Sequence, residues 1–237
     1  MIIHLIASPR NVSTALMYSM GQHSDIFPVD EPFYACYLKE SGKDHPGREK
    51  ILRSQPIDRG EVFDHLRELE SRYPVVFVKN MAHHIREEDL LLMSDWKHCF
   101  LIRHPRLHIF SFTRVISHPD LDALGTTRQR KLYEILVSQG HVPYVIDSHH
   151  LLLDPQKELT ELCHYLGIDF QKDMLHWPAG SKPFDGCWAP YWYRSVWDST
   201  EFSEPREVDQ VQLPGYLMPL FDACMVDYQY LSDQIKK

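Results

Sequence analysis

Met1-Ile-Ile-His-Leu-Ile-Ala-Ser-Pro-Arg-Asn-Val-Ser-Thr-Ala15 opens the chain, and the reading of these fifteen residues decides the fold. The apolar run to Ala7 reads as a short buried strand. Ser8-Pro9 makes a turn, Arg10 and Asn11 follow, and Ser13 and Thr14 open a helix over Thr14-Ala-Leu-Met-Tyr-Ser-Met20. A strand that feeds a tight turn and a helix N-terminus offers free N–H groups and the positive end of a dipole to an anion. Arg10, Ser13 and Thr14 can add charge-assisted contacts. Taken alone, the pattern reads equally as a plain strand–turn–helix with a serine N-cap.

The rest of the chain repeats the alternation of apolar runs and helical patterns, which predicts an α/β fold with a mostly parallel central sheet. Asp25–Asp30, Pro74–Lys79, Lys97–Arg103 and Val142–Asp147 read as further strands. Helices are expected over Val62–Tyr73, Glu87–Met93, Pro105 to about His118, Thr127–Gln139, Pro155–Leu166 and about Leu217–Gln234. Pro105 suits a first helical position and Gly167 a helix stop. Residues 39 to 58 are polar, with Gly42, Pro46, Gly47 and Pro56, and read as a loop or short-helix insertion placed to act as a lid. One domain is expected over 1–237, its last part from about 170 an aromatic-rich cover with four of the five tryptophans.

Composition narrows the function. The chain has 237 residues, 43% hydrophobic, with no apolar stretch long enough to span a membrane and no signal-peptide pattern at its start. Cys36, Cys99, Cys163, Cys187 and Cys224 are scattered without a CxxC pair, which suits reduced thiols and a cytoplasmic setting. A net charge of −8 argues against a duplex nucleic-acid binder. The 15 histidines show no HExxH-type spacing, so no metal is expected.

Each strand ends in a polar group: Ser8–Arg10, Asp30–Glu31, Lys79, Arg103 and Asp147. Parallel strands bring such ends to one edge, where open α/β sheets bind ligands. No glycine precedes Gly21 and no Gly-x4-Gly-Lys-[Ser/Thr] occurs, which removes the main support for an ATP- or GTP-hydrolysing enzyme.

Ser8, Pro9, Arg10, Asn11, Val12, Ser13 and Thr14 resemble the 5′-phosphosulfate loop of sulfotransferases: a proline, a basic residue, two small residues, two hydroxyls. The match departs at Val12, where a glycine is usual. Phe100-Leu-Ile-Arg-His-Pro-Arg-Leu-His-Ile-Phe-Ser111 supplies the second piece. Arg103 at a strand end and Ser111 eight residues on resemble the 3′-phosphate pair of that superfamily; Arg106 is a further cation there. An arginine fork suits phosphate oxygens. Asp147, Leu151–Pro155 and Leu159–Ile168 resemble the late strand and following helix of the same superfamily, and the closing Trp-Pro-Ala-Gly, Asp185–Tyr193 and Asp198–Thr200 segments resemble a bacterial-type sulfotransferase-like branch. The Arg-Lys-Gly segment that finishes the 3′-phosphate site in cytosolic eukaryotic members is missing, and Lys182 and Arg194 are its expected substitutes.

The resemblance implies a three-layer P-loop fold and transfer of a sulfuryl group from 3′-phosphoadenosine-5′-phosphosulfate (PAPS) to a hydroxyl or amine of a small-molecule acceptor, with PAP as product. Such transfer needs a base, cations at the leaving phosphate and in-line reactants. Lys79 and Arg10 are the expected charge stabilisers. Glu31 is placed first as the base, because other branches carry a glutamate after the second strand; Asp30, His83 and His84 remain alternatives. Met81 occupies the position of the base histidine of cytosolic members. A phosphotransferase on the same fold and a non-catalytic PAP-binding protein are the rival readings.

Overall fold

The computed structural model describes residues 1–235. β1 (Ile2–Ala7) leads into α1 (Ser13–Met20). β2 (Ile26–Asp30) is followed by α2 (Tyr34–Ser41), α3 (Arg48–Ser54) and α4 (Arg59–Arg72), and β3 (Val75–Met81) by a single turn, α5 (Asp89–Leu92). β4 (Lys97–Ile102) precedes α6 (Pro105–Phe112), α7 (Leu121–Leu124) and α8 (Thr126–Ser138). β5 (Tyr144–Asp147) precedes α9 (Ser148–Leu153) and α10 (Pro155–Leu166). The last part carries α11 (Ala189–Trp192), α12 (Arg194–Trp197) and α13 (Met218–Ser232).

The five strands form one sheet in the order β2-β3-β1-β4-β5, and all four pairings are parallel. Every residue of β1 is buried, as expected of a strand covered on both faces. Ile2, Ile6, Val76, Val78, Phe100 and Val145 pack with Val62, Leu66, Leu132 and Leu136 of α4 and α8. The alternate residues Ile3, Leu5, Phe77, Cys99, Leu101 and Ile146 pack with Leu16, Met17, Leu159 and Leu162 of α1 and α10. The sheet is thus the middle of three layers.

β1 sends the chain toward β2, whereas β4 sends it the other way, toward β5. A crevice therefore opens between the carboxyl ends of β1 and β4, which is where open parallel sheets take ligands.

Two elements differ from the sequence reading. The helix after Pro105 stops at Phe112, not His118; the following stretch breaks at Pro119, and Asp120 caps the separate turn α7 by accepting from Ala123 N–H. The helix expected over Glu87–Met93 shrinks to one turn. Within the polar stretch 39–58 the short-helix alternative is the one found. Gly42 ends α2 and Gly47 opens α3, both in left-handed conformations (φ +66° and +79°) that glycine adopts at little cost.

Candidate active site

The crevice is held open by side chains from below. Gln129 of α8 donates to the carbonyls of Ile6 (3.0 Å) and Leu101 (2.8 Å), one from each strand, and accepts from Ser8 Oγ at 2.8 Å. Asn11 is fully buried and also donates to the Leu101 carbonyl. Ser8 and Asn11 are therefore anchors of the loop and do not face the cleft.

The loop itself is strained. Among the described residues, the non-glycine residues with positive φ are Arg10 (+63°), Val12 (+75°) and Glu31 (+42°), and all three stand at this site. Such conformations cost about 1–3 kcal/mol each and persist where surrounding contacts over-determine them. Val12 occupies the position where the resemblance expects glycine, and its left-handed backbone is the physical reason for that expectation. Val12 also precedes the first helical residue, Ser13, and makes no side-chain cap, so the serine N-cap of the plain reading is not formed.

Two sequence-distant motifs meet here. Arg10 Nε donates to Ser111 Oγ at 3.3 Å, and Arg10 Nη1 to the Trp192 carbonyl at 3.0 Å. Arg103 donates in turn to the Arg10 carbonyl. Neither guanidinium forms an ion pair among the described residues. Burial, and then the neighbouring Arg10 and Arg206, push the Arg103 guanidinium down to about 10 despite Asp147 nearby. Arg114 and Arg206 flank the Phe110 ring at 4.7 and 5.1 Å and line the same cleft. Clustered cations without counter-charges are costly unless an anion joins them.

On the other side of β1 lies a buried charge network. Lys79 has no exposed surface; its Nζ meets Asp30 Oδ1 at 2.7 Å, Glu31 Oε1 at 2.8 Å and the Tyr193 hydroxyl at 2.6 Å. Thr14 Oγ1 stands 3.5 Å away, linking the network to the loop. The Tyr193 hydroxyl accepts from Trp188 Nε1 at 3.1 Å and spends its single proton on a carboxylate. Burial alone would lower Lys79, but Asp30 and Glu31 outweigh it and the ammonium is held above its ordinary value. Burial raises Glu31, and Lys79 pulls it part of the way back.

The two carboxylates differ in what remains free. Both Asp30 oxygens are taken: Oδ1 by Lys79 and Tyr193, and Oδ2 by the Gly186 N–H at 3.1 Å. Glu31 uses Oε1 for Lys79 and Tyr193, while Oε2 has His84 Nδ1 at 3.7 Å. The Glu31 backbone is fixed by its N–H to the Lys79 carbonyl (2.8 Å), and its carbonyl accepts from Gln55 Nε2 and Tyr34 N, each at 3.0 Å.

Arg10, Val12, Ser13, Thr14, Glu31, Arg103 and Ser111 share one cleft of about 860 Å³. Its far wall carries Tyr34, Tyr37, His45, Met81, His83, His84 and Trp188. Burial holds His83 down at about 3 and His84 well below an ordinary imidazole, so both are neutral near pH 7.

Three expected cations lie elsewhere. Lys182 donates to the Pro178 and Gly180 carbonyls at 2.6 Å, and its ammonium sits over the Tyr18 ring. Arg194 is exposed on α12, and Arg106 stacks on Phe221 and reaches the Val211 carbonyl. None of the three lines the cleft. Conversely, Tyr193, Gln55, Gln129, Arg114 and Arg206 escape sequence reading. Only Tyr193 had a signal, as the end of the aromatic Asp185–Tyr193 run.

A strand–loop–helix with free N–H groups thus meets a second arginine–serine pair, with a glutamate and a lysine beside it, in a cleft suited to an anion. A family model described as a sulfotransferase domain matches residues 1–226, and the chain belongs to that family. Its fold is similar to the sulfotransferase domain of the Synechococcus PCC 7002 olefin synthase (TM-score 0.66, 19% identity, 97% of this chain and 95% of that one). It is also similar to the sulfotransferase domain from the curacin biosynthetic pathway (0.59, 18%, 98% and 97%) and to a sulfotransferase from Alicyclobacillus acidocaldarius (0.56, 15%, 98% and 95%). Among curated proteins, two from Arabidopsis thaliana named branched-chain-amino-acid aminotransferase-like proteins 2 and 1 are 36% and 39% identical over 99% of this chain. The chain spans 42% of the length of each.

Proposed function

We propose that this chain transfers a sulfuryl group from PAPS to a hydroxyl or amine of a small-molecule acceptor. The observation that carries the reading is the meeting of Arg10, Arg103 and Ser111 at the β1/β4 crevice, cationic and without a carboxylate partner. Two phosphate-type motifs 90 residues or more apart converge there, as a nucleotide with phosphates on both its 3′ and 5′ carbons requires.

The donor, when bound, supplies a sulfuryl group whose leaving group is a phosphate. Pro9, Arg10, Val12, Ser13 and Thr14 and the N–H groups opening α1 hold the 5′-phosphosulfate, and Arg10 offsets charge on the leaving oxygens. Arg103 and Ser111 hold the 3′-phosphate. Arg114 and Arg206, which line the cleft, take the part that the sequence resemblance gives to Lys182 and Arg194. Glu31 Oε2 is the free, burial-raised carboxylate oxygen that takes the acceptor proton. Asp30 is spent on Lys79 and the Gly186 N–H. Lys79 fixes both carboxylates and touches the loop through Thr14.

The test is a thermal-shift comparison of 3′,5′-adenosine bisphosphate, ATP and AMP. At 100 times its Kd the bisphosphate adds about 2.7 kcal/mol, roughly 5–11 °C in Tm. Stabilisation by ATP without stabilisation by the bisphosphate would turn the reading toward phosphoryl transfer. Bisphosphate binding without any transfer from PAPS, across alcohol and amine acceptors, would make the chain a non-catalytic binder.

A further inference from the structure

His84 follows β3 on the turn Ala82–His84 and is only 1% exposed. Its Nδ1 is buried and hydrogen-bonds nothing among the described residues, although it stands 3.7 Å from Glu31 Oε2, the carboxylate oxygen left free by Lys79 and Tyr193. A buried polar atom without a partner asks for a ligand. Two atoms so spaced can both reach one oxygen lying to the side of the line that joins them, at roughly 2.7–2.9 Å from each.

The ring is fixed in that pose. Tyr34 stacks on it with centroids 4.5 Å apart and planes 16° from parallel, and His83 meets it edge-on at 4.6 Å. Tyr34 is pinned in turn by its hydroxyl contact with His45 Nδ1 at 2.8 Å. Burial, with His83, His45, Lys79 and Arg59 around it, keeps the imidazole neutral, so it carries one N–H and does not compete with Glu31 for the proton.

We propose that His84 is a positioning residue whose Nδ1–H donates to the acceptor's nucleophilic atom while Glu31 Oε2 takes its proton, and that the acceptor is therefore an alcohol or phenol. The inference rests on the sulfuryl-transfer reading and deepens it. A hydroxyl oxygen has two lone pairs: one accepts from His84 and the other forms the O–S bond. The O–H proton passes to Glu31 as the bond from sulfur to the phosphate oxygen breaks, and that electron pair leaves on the phosphate. A neutral amine has a single lone pair, and the same grip would occupy the pair that must attack.

The experiment is ¹⁵N NMR of histidine-labelled protein saturated with PAP at pH 7, with phenol and aniline as probes. His84 is expected as the neutral Nδ1–H tautomer, with signals that move on adding phenol and stay in place with aniline. A protonated ring, the Nε2–H tautomer, or equal responses to both probes overturns the proposal. Kinetics with PAPS give the second arm. His84→Ala should lower kcat toward phenol by about 100-fold with a smaller change in KM, and His84→Asn, whose amide N–H can replace Nδ1–H, should restore most of it. Transfer to aniline at the rate of phenol or faster also overturns it. Failure of PAP to bind, read by thermal shift on the same sample, instead removes the sulfuryl-transfer reading on which the inference stands.

Discussion

Replacing Lys79 by methionine keeps the unbranched side chain as far as Cε and removes the cation that two buried carboxylates share. In the native protein that ammonium lies 2.7 Å from Asp30, 2.8 Å from Glu31 and 2.6 Å from Tyr193, with no exposed surface. Removing one side of a buried ion pair costs about 3–5 kcal/mol, because the charge left behind has no compensation. At 2–4 °C per kcal/mol for a chain of this size, the drop in Tm is roughly 6–20 °C at pH 7. The pH dependence is the sharper part. Glu31 is already raised by burial, and losing the ammonium that pulls it down raises it further. A carboxyl whose folded pKa exceeds its unfolded one binds more protons when folded, so its variant loses stability as pH rises and regains it as pH falls. The gap between variant and wild type should therefore narrow from pH 8 to pH 5 in urea or thermal denaturation. Adding Asp30→Asn should recover part of the loss. A deficit under about 1 kcal/mol that does not change with pH would refute the claim that Lys79 holds these carboxylates together.

Glu31→Gln should leave the Tm shift by PAP intact while removing transfer from PAPS, measured with radiolabelled sulfur; retained transfer would exclude Glu31 as the base. Arg103→Ala should abolish the PAP shift, since charged hydrogen bonds of this kind contribute about 1.5–3 kcal/mol each. Acid should weaken the fold before carboxylates titrate. Burial, then His141, holds His98 at about 4, and burial, then Arg103, holds His108 at about 3. Their unfolded values near 6.5 mean that only the unfolded chain takes up these protons as pH falls. Each then costs roughly 2 kcal/mol at pH 5, which replacing His98 with glutamine should relieve in a chemical denaturation series.

Much of the fold was legible because β1 to β5 are apolar runs with polar ends, and a parallel sheet puts those ends on one edge. That the Arg10 loop and the Arg103–Ser111 segment share one edge was legible for the same reason, since each motif carried its own strand and helix start; the direct Arg10–Ser111 contact was not. Helix lengths were harder to read. Pro119 lies seven residues beyond the real end of α6, and Val115 and Ile116, three and four residues after Phe112, continue its apolar spacing past that end. The completion of the cation cluster was not legible. Arg206 comes from an irregular Pro-flanked stretch whose path is set by tertiary packing, and nothing in the sequence around Lys182 shows that its ammonium lies over Tyr18. The choice between Asp30 and Glu31 was hidden as well, because it depends on Gly186 and Tyr193, more than 150 residues away.

In the proposed reaction one cleft grips both phosphates of one nucleotide. Isothermal titration of the wild-type protein with PAP and with AMP tests it directly, because the two differ only in the 3′-phosphate. PAP should bind at least about 100-fold more tightly than AMP, the loss expected when two charge-assisted contacts go. Equal affinities, or tighter binding of AMP, would contradict it.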